Sequence, residues 1–326
     1  MTKIYTVTDF TVPFGVVSIN YAIENLVNYI PNCTVKTYNL REEFIPHKID
    51  IDVDNDVIFL CEVGYCIDAG LTTSDICKYY PNGKIVILGC DTQYFMFQEK
   101  HFQWHNPHEV DLTLDLMPQC VDVFKEHNIT ADLWMWTVSD SLLQLLKLNY
   151  GNIVDYDRKK YNFIGVYGPW TISNKDCYRH HMVNYITDNG LTFTRGNGNG
   201  FNDKDLGNLY CQYLNSWLTL GTTSHNNPFL TRMGGMKGFR DWIGPLLHCP
   251  VIYDSHENIQ KLFCPNNKIP LYNYDKFDEI VKLGRYYSDI NNRKEYEELI
   301  AIQTRWSFNN TIDKQLYRLL TQYNII

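Results

Sequence analysis

Basic residues before a short apolar strand near position 250 indicate an anion-binding site. Arg232, Lys237 and Arg240 share one segment, which leads into a strand at 250–254 that ends at Asp254. Arginine can bind phosphate through two parallel hydrogen bonds, whereas lysine acts as a point charge. Ligands of open α/β sheets lie beyond the carboxyl ends of the strands. The pattern therefore predicts a phosphate-bearing ligand at Arg240, and a solvated helix face with ion pairs is the alternative.

A carboxylate follows another apolar strand. The sequence KIVILGC at 84–90 is typical of a buried parallel strand, and Asp91 comes directly after it. A carboxylate at this end of a strand faces the ligand edge and can act as a general base that takes a proton from a hydroxyl group. The alternative is that Asp91 only caps the following turn.

Glycine-containing turns could complete an anion site. Gly168 and Trp170 lie in a turn after a predicted strand at 161–167, and the next helix carries Arg179. Backbone N–H groups at the start of a helix bind anions. A later run, GNGNG, begins at Gly196 but lacks the GxGxxG spacing of a dinucleotide fingerprint. It is interpreted as a flexible loop in which Gly196 lets the backbone approach a nucleotide.

No segment has the spacing of a metal site. The acidic run 50–56 has Asn and Cys where a calcium loop from Asp50 needs Gly and Glu, so it is interpreted as a solvated loop. The histidine-rich segment 101–108 has no adjacent fourth ligand for zinc. Trp104 within it could stack on a base or a sugar, or simply pack. No metal ligands are predicted, and assistance by Mg²⁺ or Mn²⁺ is left open without a motif.

Composition sets the broad class. The chain has 326 residues, of which 44% are hydrophobic and 20% charged, enough for two domains with separate cores. The net charge of −8 argues against general affinity for nucleic acid. Ten cysteines without a CxxC pair indicate free thiols in a reducing compartment. With no long apolar run and no signal-peptide pattern, we expect a cytoplasmic protein without a membrane partner.

Strand and helix patterns alternate along the chain and predict parallel sheets covered on both faces. The polar stretch 149–160 is the best linker candidate. We expect an N-terminal domain at 1–155, a C-terminal domain at 156–308 and a final helical segment at 309–326. Expected helices include 18–30, 175–187, 205–215 and a long region after 271 that reaches about 306; one expected strand is 132–138.

The strand ending at Gly168, the glycine run and the segment FRDWIGPLLHCPVIYD (239–254) resemble glycosyltransferases of the GT-B class, including phage DNA β-glucosyltransferases and group 1 glycosyltransferases. The resemblance implies an α/β fold of two Rossmann-like, doubly wound parallel-sheet domains facing a central cleft, with the C-terminal helix crossing back to the N-terminal domain. It also implies that Arg240 binds the donor diphosphate and that Asp91 is the catalytic base. Ile243 stands where the family has a ribose-binding glutamate.

The resulting hypothesis is transfer of a sugar from a nucleotide-sugar, with a UDP-sugar as co-substrate and no permanently bound cofactor. The favoured acceptor is a 5-hydroxymethylpyrimidine in phage DNA, in the host cytoplasm, by an inverting displacement. A surface glycan or protein acceptor and a non-catalytic nucleotide-binding module are the alternatives. The predicted donor site consists of Arg240, Gly168, Trp170, Arg179, Gly196, Gly221, Arg232, Lys237 and Asp254; predicted contacts to acceptor or sugar are Asp9, Phe14 and Trp104.

Overall fold

The computed structural model of the protein divides into two compact units. One consists of Met1–Ser141 together with Thr311–Ile326, and the other is Leu142–Asn310. The structure describes residues 2–8, 22–39, 57–62, 74, 78, 83–89, 109–116, 118–135, 137–150, 154–165, 175–196, 203–222, 243–255 and 269–326.

The first unit contains a six-stranded parallel sheet. Its strands, in chain order, are β1 (Thr2–Thr8), β2 (Cys33–Asn39), β3 (Val57–Glu62), β4 (Lys84–Gly89), β5 (Leu112–Asp115) and β6 (Ala131–Leu133). They lie in the order β2-β1-β3-β4-β5-β6, and every neighbouring pair is parallel. β4 and β5 are almost entirely buried, as expected where helices cover both faces of a parallel sheet. The described helices between these strands are a 3₁₀ turn at Asn25–Asn28 and α1 (Pro118–Glu126). α2 (Asp140–Tyr150) follows β6, and from Leu142 onward it belongs to the second unit.

The second unit contains a five-stranded parallel sheet. Its strands are β7 (Tyr161–Gly165), β8 (Phe193–Arg195), β9 (Ser216–Leu220), β10 (Val251–Asp254) and β11 (Leu271–Tyr272), in the order β11-β10-β9-β7-β8. Its helices are α3 (Tyr178–Asp188), α4 (Asp203–Leu214), α5 (Phe277–Tyr287) and α6 (Arg293–Asn309), with 3₁₀ turns at Pro245–Leu247 and Ile290–Asn292. In both sheets the first strand lies between the second and the third, which is a doubly wound order. The predicted fold class is confirmed.

The C-terminal helix α7 (Ile312–Gln322) belongs to the first unit. Leu316 and Leu320 are fully buried in one apolar cluster with Ile4 and Val86 of the sheet. This packing fits the strong amphipathic pattern of the helix, because its apolar residues recur every three or four positions. The predicted return of the final helix to the N-terminal unit is confirmed.

Polar contacts fix the position of α7. The side-chain amide of Gln315 accepts from the Met135 N–H at 2.9 Å and donates to the Met135 carbonyl at 3.2 Å. At the end of the chain, Lys84 Nζ donates to the carbonyls of Asn324 and Ile325, at 2.7 and 3.0 Å. Both contacts satisfy backbone groups that a helix or strand end would otherwise leave unpaired.

Two sequence expectations were wrong in detail. The strand expected at 132–138 ends at Leu133. The Trp134 N–H still donates to the Asp115 carbonyl of β5, at 3.1 Å, but the Met135 N–H pairs with the Gln315 side chain instead of a strand. The long helical region after 271 begins with β11 and is two helices, α5 and α6. The break between them is a 3₁₀ turn in which Asp289 accepts from the Asn291 N–H.

Two helical glycines allow a matched test of packing in the second unit. A Cβ on Gly284 of α5 would lie 2.5 Å from Cζ of Phe163. A Cβ on Gly207 of α4 would have no described atom within 4 Å apart from its chain neighbours and the nearby backbone of its own helix. We expect Gly284→Ala to lower the free energy of unfolding by about 1–3 kcal/mol through overpacking. Gly207→Ala should raise it by about 0.5–1 kcal/mol, because alanine is the better helix former. Urea denaturation measures both, and equal effects would contradict the close packing of α5 on β7.

Candidate functional site

The carboxyl ends of β7 to β11 share one edge of the second sheet, because all neighbouring strands are parallel. In a doubly wound sheet the ligand crevice lies at this edge, where the direction of the strand order reverses. Here the reversal lies between β7 and β9. Four residues of the predicted donor site are described: Asp254 is the last residue of β10, and Arg179, Gly196 and Gly221 lie in segments that follow strands.

Gly221 follows β9, and the close packing at this position leaves room only for glycine. Its N–H donates to the Ile252 carbonyl at 2.9 Å, and its own carbonyl accepts from the Tyr272 hydroxyl at 2.7 Å. A Cβ at this position would lie 2.2 Å from the ring of Tyr253. Glycine therefore lets the chain leave β9 against that buried ring, at the edge where a ligand would approach the backbone.

Asp254 ends β10 and has no exposed surface. One of its carboxylate oxygens accepts from the Thr222 hydroxyl at 3.1 Å. A buried carboxylate is costly unless hydrogen bonds compensate for its lost hydration. The contact therefore ties the segment after β9 to the end of β10.

Arg179 is the second residue of α3 and is half-buried. The first residue, Tyr178, stacks on Tyr274 with ring centroids 4.4 Å apart and an interplanar angle of 4°. Burial raises the pKa of Tyr178, a hydrogen bond from the Asp275 N–H opposes the rise, and the negative charge of Asp254 adds to it. The start of α3 therefore lies within electrostatic range of the end of β10. The His180 and His181 N–H groups donate to the Cys177 carbonyl, at 2.9 and 3.3 Å, which closes the first turn of α3. The N-terminal end of a helix carries a partial positive charge that favours an anion.

Gly196 continues the backbone pairing beyond β8. It is buried, and its N–H donates to the Gly165 carbonyl at 3.0 Å. The start of the predicted glycine run is therefore held against the end of β7.

The other predicted site residues lie outside the described residues, and their predicted roles stay predictions. They are Asp91, Arg240, Gly168, Trp170, Arg232, Lys237, Asp9, Phe14 and Trp104. Ile243 is described and fully buried. Its apolar side chain cannot take the hydrogen-bonding role that a glutamate has in the resembled family.

Sequence reasoning missed several residues of this unit. The Tyr178–Tyr274 stack joins positions far apart in the chain, and no local sequence pattern predicts it. At the opposite edge of the sheet, where the strands begin, Lys159 Nζ donates to the carbonyls of Ser216 and His248, both at 2.5 Å. Burial lowers the pKa of Lys159 to about 8. In the sequence, the only sign of these Lys159 contacts is the position of a lysine just before a predicted strand.

The chain is similar to known proteins in structure. No protein-family model and no curated protein sequence matches the chain. The crystal structure of Anabaena HepE in complex with UDP and glucose matches with a TM-score of 0.57 and 10% identity, covering 99% of this chain and 100% of that chain. The chain has the GT-B fold. An α-glucosyltransferase in complex with UDP and a 13-mer DNA containing an HMU base matches this GT-B chain with a TM-score of 0.56 and 8% identity, covering 99% and 98%.

A third GT-B structure is similar over its whole length. Sucrose-phosphate synthase from Thermosynechococcus elongatus matches with a TM-score of 0.53 and 11% identity, covering 99% of each chain. In the part of the GT-B chain that the structure describes, no helix combines the length and apolar character needed to cross a membrane.

The Thr222–Asp254 contact can be tested by a conservative pair of variants. We expect Thr222→Val to lower the free energy of unfolding by about 1–3 kcal/mol, since the buried Asp254 carboxylate loses a hydroxyl donor without a change in side-chain size. Thr222→Ser keeps the hydroxyl and should retain most of the stability. Urea denaturation measures the free energy of unfolding of both variants. A serine variant as unstable as the valine variant would contradict the importance of the hydrogen bond.

Proposed function

We propose that this GT-B chain transfers a sugar from a nucleotide-sugar to an acceptor hydroxyl, with a UDP-sugar as donor. The observation that carries the proposal is the carboxyl edge of the second sheet, where the glycine and acidic residues predicted for the donor lie in the segments that leave the strands. Full-length likeness to GT-B structures that contain UDP supports the choice of donor.

The donor diphosphate needs positive charge and hydrogen-bond donors. In the proposal Arg240 holds the diphosphate through two parallel hydrogen bonds, with Lys237 and Arg232 adding positive charge. Arg179 and the N–H groups at the start of α3 add donors on the β7 side. Since Ile243 is buried and apolar, the ribose hydroxyls are bound by groups other than residue 243.

The proposed reaction is an inverting displacement. Asp91 takes the proton of the acceptor hydroxyl as its oxygen attacks the anomeric carbon of the sugar. The bond between that carbon and the diphosphate oxygen breaks, and UDP leaves with the bonding electron pair. Arg240 stabilises the negative charge that develops on the leaving diphosphate. No redox partner is needed, and the products are the glycosylated acceptor, UDP and one proton.

The proposed acceptor is a 5-hydroxymethylpyrimidine in DNA. The support is the similar α-glucosyltransferase whose structure contains DNA with an HMU base. The enzyme would have to extrude the target base from the duplex. The net charge of −8 limits non-specific attraction to phosphates, so binding should depend on the modified base more than on duplex length.

Donor binding can be tested without an acceptor. We expect UDP to raise the melting temperature of the wild-type protein, because a ligand at 100 times its dissociation constant adds about 2.7 kcal/mol. Arg240→Ala should abolish the shift, since it removes the proposed diphosphate ligand. Arg305→Ala, on an exposed position of α6, is the control and should retain it. The absence of a shift with UDP, GDP, TDP and their sugars would contradict the proposed donor site.

Transfer can be tested with a panel of UDP-sugars and duplexes with or without 5-hydroxymethylpyrimidines. Mass spectrometry should detect one added hexose or other sugar per modified base and none on unmodified DNA. Asp91→Asn should lower kcat by about 10²–10⁴-fold, the contribution of a positioned general base, while UDP binding persists. Asp122→Asn, at an exposed position of α1, should be fully active. UDP binding without transfer to any acceptor would favour a non-catalytic nucleotide-binding module.

A further inference from the structure

A cavity of about 470 Å³ lies in the second unit, at the edge where the strands begin. This volume is typical of small-molecule sites. The walls come from the segment before β7, the 3₁₀ turn before β10, and helices α2 and α6. The lining residues are Lys147, Val154, Tyr156, Pro245, Leu246, His248, Glu297, Ile300, Ala301 and Thr304.

His248 is the buried polar residue of the lining, with 7% of its surface exposed. Its backbone groups are fully used: the N–H donates to Pro245, and the carbonyl lies 2.5 Å from Lys159 Nζ and 2.6 Å from the Tyr296 hydroxyl. Within the described residues, its imidazole has no hydrogen-bond partner. The ring nitrogens keep some contact with solvent, so a ligand hydroxyl that enters the cavity can replace water as their partner.

The imidazole is neutral at pH 7. Burial, with a contribution from the positive charge of Lys159, lowers the pKa of His248 to about 4. A neutral imidazole has one donor nitrogen and one acceptor nitrogen. It therefore suits a hydroxyl group, which can both donate and accept, better than it suits an ion.

The remaining polar groups give no net preference for charge. Glu297 and Lys147 carry opposite charges and are both exposed. The Tyr156 hydroxyl donates to the Glu297 carboxylate at 2.7 Å, and Lys147 Nζ lies 5.4 Å from the centroid of the Phe308 ring. Aliphatic side chains, among them Leu246 and Ile300, form much of the wall. Such a surface favours a ligand with an apolar body.

We propose that this cavity binds a small uncharged molecule with an apolar ring or chain and one hydroxyl group, which hydrogen-bonds to the His248 imidazole. The site lies at the edge of the sheet opposite the proposed donor site and does not depend on the proposed transferase activity. It requires no movement of the strands, because the cavity is already open in the structure.

Phenol is a suitable probe because it joins an apolar ring to one hydroxyl. We expect phenol at millimolar concentration to shift the imidazole resonances of His248 in long-range ¹H–¹⁵N spectra. His248→Gly assigns these resonances, and glycine accepts the left-handed backbone found there (φ 55°). Ala301→Phe places a ring in the lining and should weaken phenol binding by at least about tenfold. Glu298→Phe adds the same ring at an exposed position of the same helix outside the lining and should bind phenol as the wild type does.

Two further probes test the chemistry of the ligand. Toluene lacks the hydroxyl and should bind several-fold more weakly than phenol to the wild-type protein. The preference for phenol over toluene should vanish in His248→Gly. Because this variant lacks the His248 signals, its ligand binding is measured by saturation transfer. Equal binding of phenol to the Ala301→Phe and Glu298→Phe variants would overturn the location of the site. Tighter binding of the zwitterion L-phenylalanine than of phenol would overturn the uncharged class, and no shift of His248 with phenol would overturn the site itself.

Discussion

The parallel pairing of the strands is the constraint on which the rest of the structure depends. Two parallel neighbours cannot be joined by a tight turn, so each connection must cross back over a face of the sheet. All carboxyl ends in a sheet then meet at one edge and all amino ends at the other. In the second unit this brings together residues 179, 196, 221 and 254, which the chain separates widely. The same constraint collects Lys159, Ser216 and His248 at the opposite edge.

Buried glutamines fix a helix to a backbone segment in each unit by the same chemistry. Gln315 of α7 pairs with both backbone groups of Met135, and Gln303 of α6 pairs with both backbone groups of Val251, at 2.8 and 2.9 Å. A side-chain amide offers a donor and an acceptor at the spacing of a peptide group, so it can continue a pattern of backbone pairing. In an apolar interior a fully paired amide also sets the register of the helix, because a shifted position would leave buried groups unpaired.

The two edges of the second sheet are built differently, and the difference matters for function. At the carboxyl edge, glycine backbone and a buried carboxylate bring segments close together, with Gly221 packed against the Tyr253 ring and Asp254 bonded to Thr222. At the amino edge, the ammonium of Lys159 joins two carbonyls across strands. The first arrangement presents backbone to a ligand, whereas the second fixes the beginnings of the strands and shapes the cavity beside His248.

The sequence by itself determined the class of fold. Short apolar strands that alternate with amphipathic helices can be buried only in parallel sheets covered on both faces. The apolar residues of 312–322 recur at helical spacing and had to be buried against another part of the chain. It also placed Asp254 correctly at a strand end, since the hydrophobic pattern shows where that strand stops. Tertiary structure alone decided the strand order, the end of β6 at Leu133 and the Tyr178–Tyr274 stack. Tertiary structure also placed His248 in the lining of a cavity, where its imidazole has no hydrogen-bond partner among the described residues. Contacts between distant positions depend on how the crossovers pack, and they leave no local periodic signal in the sequence.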